Sequence, residues 1–156
     1  MAYASYSDAD MGAETMPRMK SATPAFPVDD VSATMQWYQE VLGFQGEGYP
    51  SHRTYQFGIL TCDDIVIMLQ RLKGYKKPAL YNSRDGGVWD VYIRTDDVHG
   101  LYASLHEKDT VRIIEGISEQ SYGETEFVIE DLNGYVLVFS QPTIPESWQQ
   151  MHTSGT

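Results

Sequence analysis

The sequence predicts an α+β protein built from two βαβββ modules, their curved mixed sheets forming a cup with the helices on its outer face. Three observations carry this expectation. First, Thr125–Glu130 and Tyr135–Ser140 are β-rich runs around Asp131-Leu132-Asn133-Gly134, whose Asn and Gly tolerate the positive φ of a tight turn. Second, the run Phe57–Arg71 repeats that hairpin 70 positions earlier, with Ile65, Val66, Ile67, Met68 and Leu69 falling on Tyr135, Val136, Leu137, Val138 and Phe139. Third, Asp29-Asp30-Val31 repeats 67 positions later as Asp96-Asp97-Val98, each time opening a helix-like run after a strand-like one. Two echoes in one order point to a chain of two related halves.

In chain order, residues 1–18 lack periodicity and read as a mobile arm carrying Tyr3 and Tyr6. Lys20–Val28 is the first strand, with Phe26 and Val28 on one face, and Pro27 marks it as an edge, seam or bulge. Asp30 caps a helix to about Leu42, where Val31, Met35, Tyr38 and Leu42 recur at helical spacing and Gly43 stops it. Phe44–Tyr49 is a short strand, Pro50-Ser51-His52 a turn, and Thr54–Thr61 with Ile65–Arg71 a hairpin around Asp63-Asp64. In the second half Val88–Thr95 is a strand, Asp97 caps a helix to about Glu107, Val111–Ile117 is a strand, and the hairpin at Asp131–Gly134 closes the module. The expected division is therefore an arm (1–18), one domain (19–143) and a tail (144–156) that holds Trp148 and a short terminal helix. Within the domain, module 1 spans about 19–71, a linker 72–87, and module 2 about 88–143.

The linker holds Lys73, Lys76, Lys77 and Arg84 with little periodicity, which reads either as a solvated loop or as a lid whose Tyr75 and Tyr81 close over a ligand. Composition sets further bounds. At 156 residues and 42% apolar content the chain supports one sizeable core. A net charge of −11 argues against nucleic acid and anionic membranes and favours a cationic ligand. One cysteine, Cys62, excludes an internal disulfide and fits a reducing compartment. With no spanning apolar run and no signal-peptide pattern, the chain reads as cytoplasmic. Eleven tyrosines against five phenylalanines suit sheet surfaces or a half-wet cleft.

The signatures PVDDVSATMQWYQEVLGF (Pro27–Phe44) and YGETEFVIEDLNGYVLVF (Tyr122–Phe139) resemble the vicinal oxygen chelate superfamily, which includes glyoxalase I, extradiol dioxygenases and the fosfomycin- and bleomycin-resistance proteins. The resemblance covers about residues 20–142. It implies paired modules curling into a cup, a ligand in the cleft between them and, by analogy, a homodimer. Enzymatic relatives hold a divalent metal there through His, Gln or Glu side chains. In this sequence the corresponding positions fall on Thr23, Met68, Asp90 and Val138, of which only Asp90 is an ordinary ligand for such a cation. Nor do His52, His99, His106 and His152 fall on the cup strands. The expectation is therefore no metal, no other cofactor and no catalytic residue.

Strand alternation then places Tyr55, Phe57 and Ile59 with Val66, Met68 and Gln70 on the cup face, and Phe127 and Ile129 with Val136, Val138 and Ser140. Asp90, Tyr92 and Arg94 add one polar row, either a ligand contact or a strand edge pairing with its neighbours. The expected ligand-binding set is Tyr55, Phe57, Met68, Asp90, Tyr92, Arg94, Phe127 and Val138. The resemblance implies a metal-free binding protein of the bleomycin-resistance type, sequestering an aromatic, cationic small molecule such as an antibiotic. The alternative is a glyoxalase-like lyase or dioxygenase with a diverged metal site.

Overall fold

A computed structural model of the chain describes residues 16–144, so most of the expected arm and all of the tail beyond Ile144, with Trp148, lie outside the described residues. Two four-stranded mixed sheets form the domain. Sheet A comprises β1 (Ala25–Val28), β2 (Gln45–Tyr49), β3 (Phe57–Cys62) and β4 (Ile65–Arg71), in the order β1-β4-β3-β2. Sheet B comprises β5 (Val91–Arg94), β6 (Arg112–Glu119), β7 (Glu124–Glu130) and β8 (Val136–Pro142), in the equivalent order β5-β8-β7-β6. Helix α1 (Val31–Leu42) follows β1 and α2 (Val98–His106) follows β5, so each module is βαβββ as the sequence predicts.

The helix ends obey local chemistry. The Asp30 carboxylate accepts from the Ala33 amide at 2.9 Å, and Asp97 accepts from Gly100 at the same distance. Gly43 ends α1 at φ 72°, its amide donating to Gln39 O while Phe44 N donates to Tyr38 O. Pro27 sits in β1 because that strand is an edge, paired in parallel with β4 alone. The strands β1 and β5 are shorter than their apolar runs, since Lys20–Pro24 and Val88–Asp90 lead in without a full ladder.

Register separates the two hairpins. In sheet A, Phe57 pairs with Gln70 and Ile59 with Met68, putting Phe57, Ile59, Val66 and Met68 on the face away from α1. In sheet B, Phe127 pairs with Phe139 and Ile129 with Leu137, while Glu126 pairs with Ser140 and Val128 with Val138. Phe127 and Ile129 therefore belong to the helix-facing core, where both are fully buried, and not to the cup face where the repeat placed them. The reason is loop parity. Two residues separate the last pair of the first hairpin, Cys62 and Ile65, whereas five separate Glu130 from Val136. An odd difference turns the incoming strand over relative to the outgoing one. Tyr55 also departs from expectation. It precedes β3, and its ring packs over Gly48 against the core, because the strand alternation begins only at Phe57.

One core unites the modules. It draws Leu60, Ile67 and Leu69 from sheet A and Phe127, Leu137 and Phe139 from sheet B, together with Val31, Tyr38 and Val41 of α1. At its centre the Asp131 carboxylate, in the β7–β8 connection, accepts the Tyr38 hydroxyl at 2.7 Å and the amides of Asn133 and Tyr135 at 2.8 and 2.9 Å. The Asn133 side chain donates to Thr34 of α1, and the Tyr135 ring stacks on Phe26 at 4.1 Å while its hydroxyl donates to Pro27 O. At the other end of α1, Lys108 donates to Val41 O at 3.0 Å.

Burial raises the Asp131 carboxyl to about 6, above the 3.8 usual for aspartate, although its hydrogen bonds pull the other way. The folded protein thus keeps a proton that the unfolded chain releases above about pH 4. The stabilisation from this proton is complete below the unfolded value and is lost as pH rises through about 6, a change of ~3 kcal/mol. Asp131→Asn is expected to remove that slope from urea-unfolding free energies measured between pH 4 and 7; an unchanged slope would assign it to another group. Phe127→Ala, as a core truncation, is expected to cost about 3–5 kcal/mol in the same assay, whereas a loss below about 1 kcal/mol would return Phe127 to a surface.

Candidate functional site

The faces of the sheets opposite the helices are open, and they differ. On sheet A, Phe57, Ile59, Val66 and Met68 are half-buried and Tyr49 is exposed, giving an apolar face with few polar groups. Thr23 leads into β1, and Met68 pairs with Ala25. The cleft beside Tyr55, about 540 Å³, lies at the α1 side among Asp29, Arg53 and Arg71.

Sheet B carries the polar chemistry. Parallel pairing of β5 with β8 sets Tyr92 beside Val138 and Arg94 beside Ser140. Antiparallel pairing of β7 with β8 brings Glu124, Glu126 and Val128 to the same face. Glu126 is only 4% exposed, and it accepts hydrogen bonds from the Tyr92 hydroxyl at 2.9 Å and from the Tyr122 hydroxyl. Burial foremost, and then the Glu126 carboxylate, hold the Tyr122 phenol well above its ordinary range, and burial raises Tyr92 as well. Both phenols are therefore protonated donors at neutral pH.

Arg94 reaches Glu124 at 2.7 Å from an exposed position. The second Glu124 oxygen has no hydrogen-bond partner, and the fully buried Ser140 hydroxyl turns to the Tyr92 oxygen. An orphaned buried polar atom costs about 1–3 kcal/mol, so one beside a buried carboxylate marks a place shaped for something besides packing. Trp89 tilts against Tyr92 with ring centroids 5.5 Å apart. A cleft of about 440 Å³ opens here, walled by Tyr81, Trp89, Tyr122, Glu126 and Val128, with the exposed Arg84 and Glu115 also lining it. Its aromatic walls and single buried carboxylate are the features of an amine-accepting pocket.

Asp90 is committed elsewhere. One of its oxygens accepts the Val136 amide at 2.8 Å and the Lys77 ammonium at 3.0 Å. Lys77 is not the solvated linker lysine its sequence context suggests: its side chain is 8% exposed, and it lies 5.5 Å over the Tyr135 ring. The donor set does not fit the divalent metal of the enzymatic relatives. Thr23, Met68 and Val138 offer no suitable oxygen or nitrogen ligand, and among the described residues no three His, Cys, Asp or Glu side chains converge. His99 and His106 are exposed on α2, where His106 packs beside Tyr102.

The residues singled out from sequence are thus split. Tyr92, Arg94 and Val138 share the open face of sheet B, while Asp90 precedes β5 and is tied to Lys77; Phe57 and Met68 lie on the open face of sheet A; Tyr55 and Phe127 are on the core side. The sheet A cleft and the sheet B cleft share no lining residue. Sequence reading missed Glu124 and Glu126, although the alternation in ETEFVIE carries the signal: carboxylates at 124 and 126 take one face, Phe127 and Ile129 the other.

Comparison with known proteins agrees with this architecture. No curated protein matches the chain. Among solved structures, a glyoxalase-related enzyme from Clostridium phytofermentans superposes with a TM-score of 0.62 at 15% identity, over 82% of this chain and 98% of its own. TioX from Micromonospora sp. ML1 gives 0.60 at 17% identity, over 78% and 99%. A bleomycin-binding protein solved in complex with bleomycin gives 0.58 at 23% identity, over 79% and 98%. Residues 20–139 match a single family model. The chain belongs to the Glyoxalase/Bleomycin resistance protein/Dioxygenase superfamily.

Proposed function

We propose that the chain is a metal-free binding protein that sequesters a small aromatic molecule carrying a protonated amine, held on the open face of sheet B. The observation that carries this reading is Glu126, a buried carboxylate in an aromatic-walled cleft, bonded to two phenols and next to an unpaired Glu124 oxygen. An ammonium seated there gains a charge-assisted hydrogen bond where water is largely excluded. Trp89 and Tyr92 offer ring faces to its aromatic part. Tyr92, Arg94 and Val138 act from the floor of the face, and Asp90 acts through its hold on Lys77. The family includes bleomycin-resistance proteins, and one structural neighbour was solved with bleomycin, so antibiotic sequestration is the biological role this reading favours.

A second copy of the chain completes the cup. Within one chain the two open faces are not joined, because the sheets meet through their helix-facing sides. The half-buried Phe57 and Met68 of a second copy would supply the missing apolar wall. Analytical ultracentrifugation is expected to show a dimer at micromolar concentration; a monomer throughout would confine the site to sheet B alone.

Calorimetric titration with 1-naphthylmethylammonium is expected to show binding, with Glu126→Gln weakening it by about 10–100-fold, the scale of a buried charge-assisted bond. The matching neutral alcohol, 1-naphthylmethanol, is expected to bind the unaltered protein about as weakly as the amine binds the variant. Equal affinity for amine and alcohol would sink the role of Glu126. The enzyme alternative, a glyoxalase-like lyase or dioxygenase with a diverged metal site, requires metal ligands other than Thr23, Met68, Asp90 and Val138; a stoichiometric divalent ion found by elemental analysis of the purified protein would favour it.

A further inference from the structure

We infer that Tyr81, in the linker between the modules, sets the size of the ligand that the open face of sheet B accepts. This rests on the reading of that face as the ligand surface. The linker does not hang in solvent. Its ring residue Tyr81 opens a single 3-10 turn (Tyr81–Ser83) and packs on the apolar patch formed by Val128, Val136 and Val138. The ring stands between two clefts, with Glu115 as their other shared wall. On one side lies the cleft of about 440 Å³ that holds Glu126; on the other lies a cleft of about 280 Å³ lined by Lys77, Leu80, Ile114, Glu130 and Val136. Tyr81 lines both.

Three tethers hold the linker in place, and the Tyr81 hydroxyl itself donates to Glu115 of β6. The Gly74 amide donates to the Asp29 carboxylate at 2.5 Å, Lys77 pairs with Asp90, and the Val88 amide donates to Tyr81 O at 3.2 Å, closing the loop on itself. Gly87 lies directly against the ring: a Cβ built there would come within 2.2 Å of it, and the backbone has φ +86°. Lys77 and Tyr81 thus present an ammonium and an aromatic ring to sheet B from four residues apart, the same two groups proposed for the ligand. The chain occupies part of its own site with a stand-in for what it binds. Of the two lid rings suggested by sequence only Tyr81 lies here; Tyr75 lines a separate small cleft with Pro27 and Asn133.

A ligand confined to the larger cleft fits without disturbing this strap, whereas a longer one must displace Tyr81. The test uses two neutral solvatochromic dyes, so it does not depend on Glu126 and its result is separable from that of the amine titration. Prodan has a two-ring naphthalene core, and anthradan is its three-ring anthracene analogue. The unaltered protein is expected to bind prodan about tenfold tighter than anthradan, and Tyr81→Ala to lose that preference by gaining affinity for anthradan. Tyr81→Phe, which keeps the ring, is expected to keep the preference. Should Tyr81→Ala fail to give a folded circular-dichroism spectrum, Gly87→Ala, which drives a methyl into the ring, is expected to act in the same direction. Binding of neither dye, no preference in the unaltered protein, or a preference retained once the ring is removed or displaced would each overturn the inference. If the dyes behave as expected while the amine fails to bind, the size limit stands and only the amine reading falls.

Discussion

The packing of the two modules depends on one buried carboxylate. Asp131 sits in the turn between β7 and β8, yet its bonding reaches outside its own module: it accepts two amides of its own turn and the hydroxyl of Tyr38 from α1. Neighbouring residues repeat the pattern, with Asn133 donating to Thr34, and Tyr135 stacking on Phe26 and donating to Pro27 O. A connection of two residues, as in the first hairpin, has no room for such a set. The longer turn therefore serves as the joint between modules, and the length it requires is the same feature that reverses the facing of β7. Because desolvation and hydrogen bonding act on this carboxyl in opposite senses, the joint is a polar cluster inside an apolar core, and such clusters fix one arrangement of the elements around them.

That arrangement decides where a ligand can lie. Joining the modules through α1 and the helix-facing sides commits Leu60, Ile67 and Leu69 to the same core as Phe127, Leu137 and Phe139. What remains outside is one open face per sheet, each half of a cup. The sheet edges do not need to meet for this to hold, since the apolar area buried between the helix-facing sides supplies the association. The strand order β1-β4-β3-β2 and its counterpart in sheet B make the halves equal in topology while leaving their open faces free to diverge.

Much of this was readable from residue pattern. The two βαβββ repeats, both N-cap aspartates, the Gly43 stop and the edge placement of Pro27 follow from local rules that tertiary context does not override. The facing of Phe127 was not recovered, because a sequence echo aligns residue types and is blind to the parity of the loop between paired strands. Tyr55 was misplaced for a related reason: alternation holds only inside a strand, and β3 starts two residues later. Lys77 was read as solvated because its neighbours in sequence are basic and polar; its partner Asp90 and the ring of Tyr135 are brought to it only by the fold. The row Asp90, Tyr92 and Arg94 lies in one short stretch and was visible, whereas Glu124 and Glu126 of β7 were not.

The divergence of the open faces is the strongest physical argument about function. On sheet A the exposed side of the ladder is apolar and unremarkable for a sheet that expects a partner surface. On sheet B the rules of a well-packed face are broken repeatedly within a small area: a buried carboxylate at Glu126, a carboxylate oxygen without a partner at Glu124, and a lysine drawn out of water to Asp90. Each of these is unfavourable unless compensated, and burying a charge is the costliest of the three. Stability alone would favour a hydrophobic residue at Glu126, as at the matching position Phe57 of the other sheet. Local conflicts of this kind concentrate where a protein gives up stability for recognition. The asymmetry between two halves of one design is therefore the physical ground for proposing sheet B as the recognition surface, with sheet A of a second copy as its proposed wall.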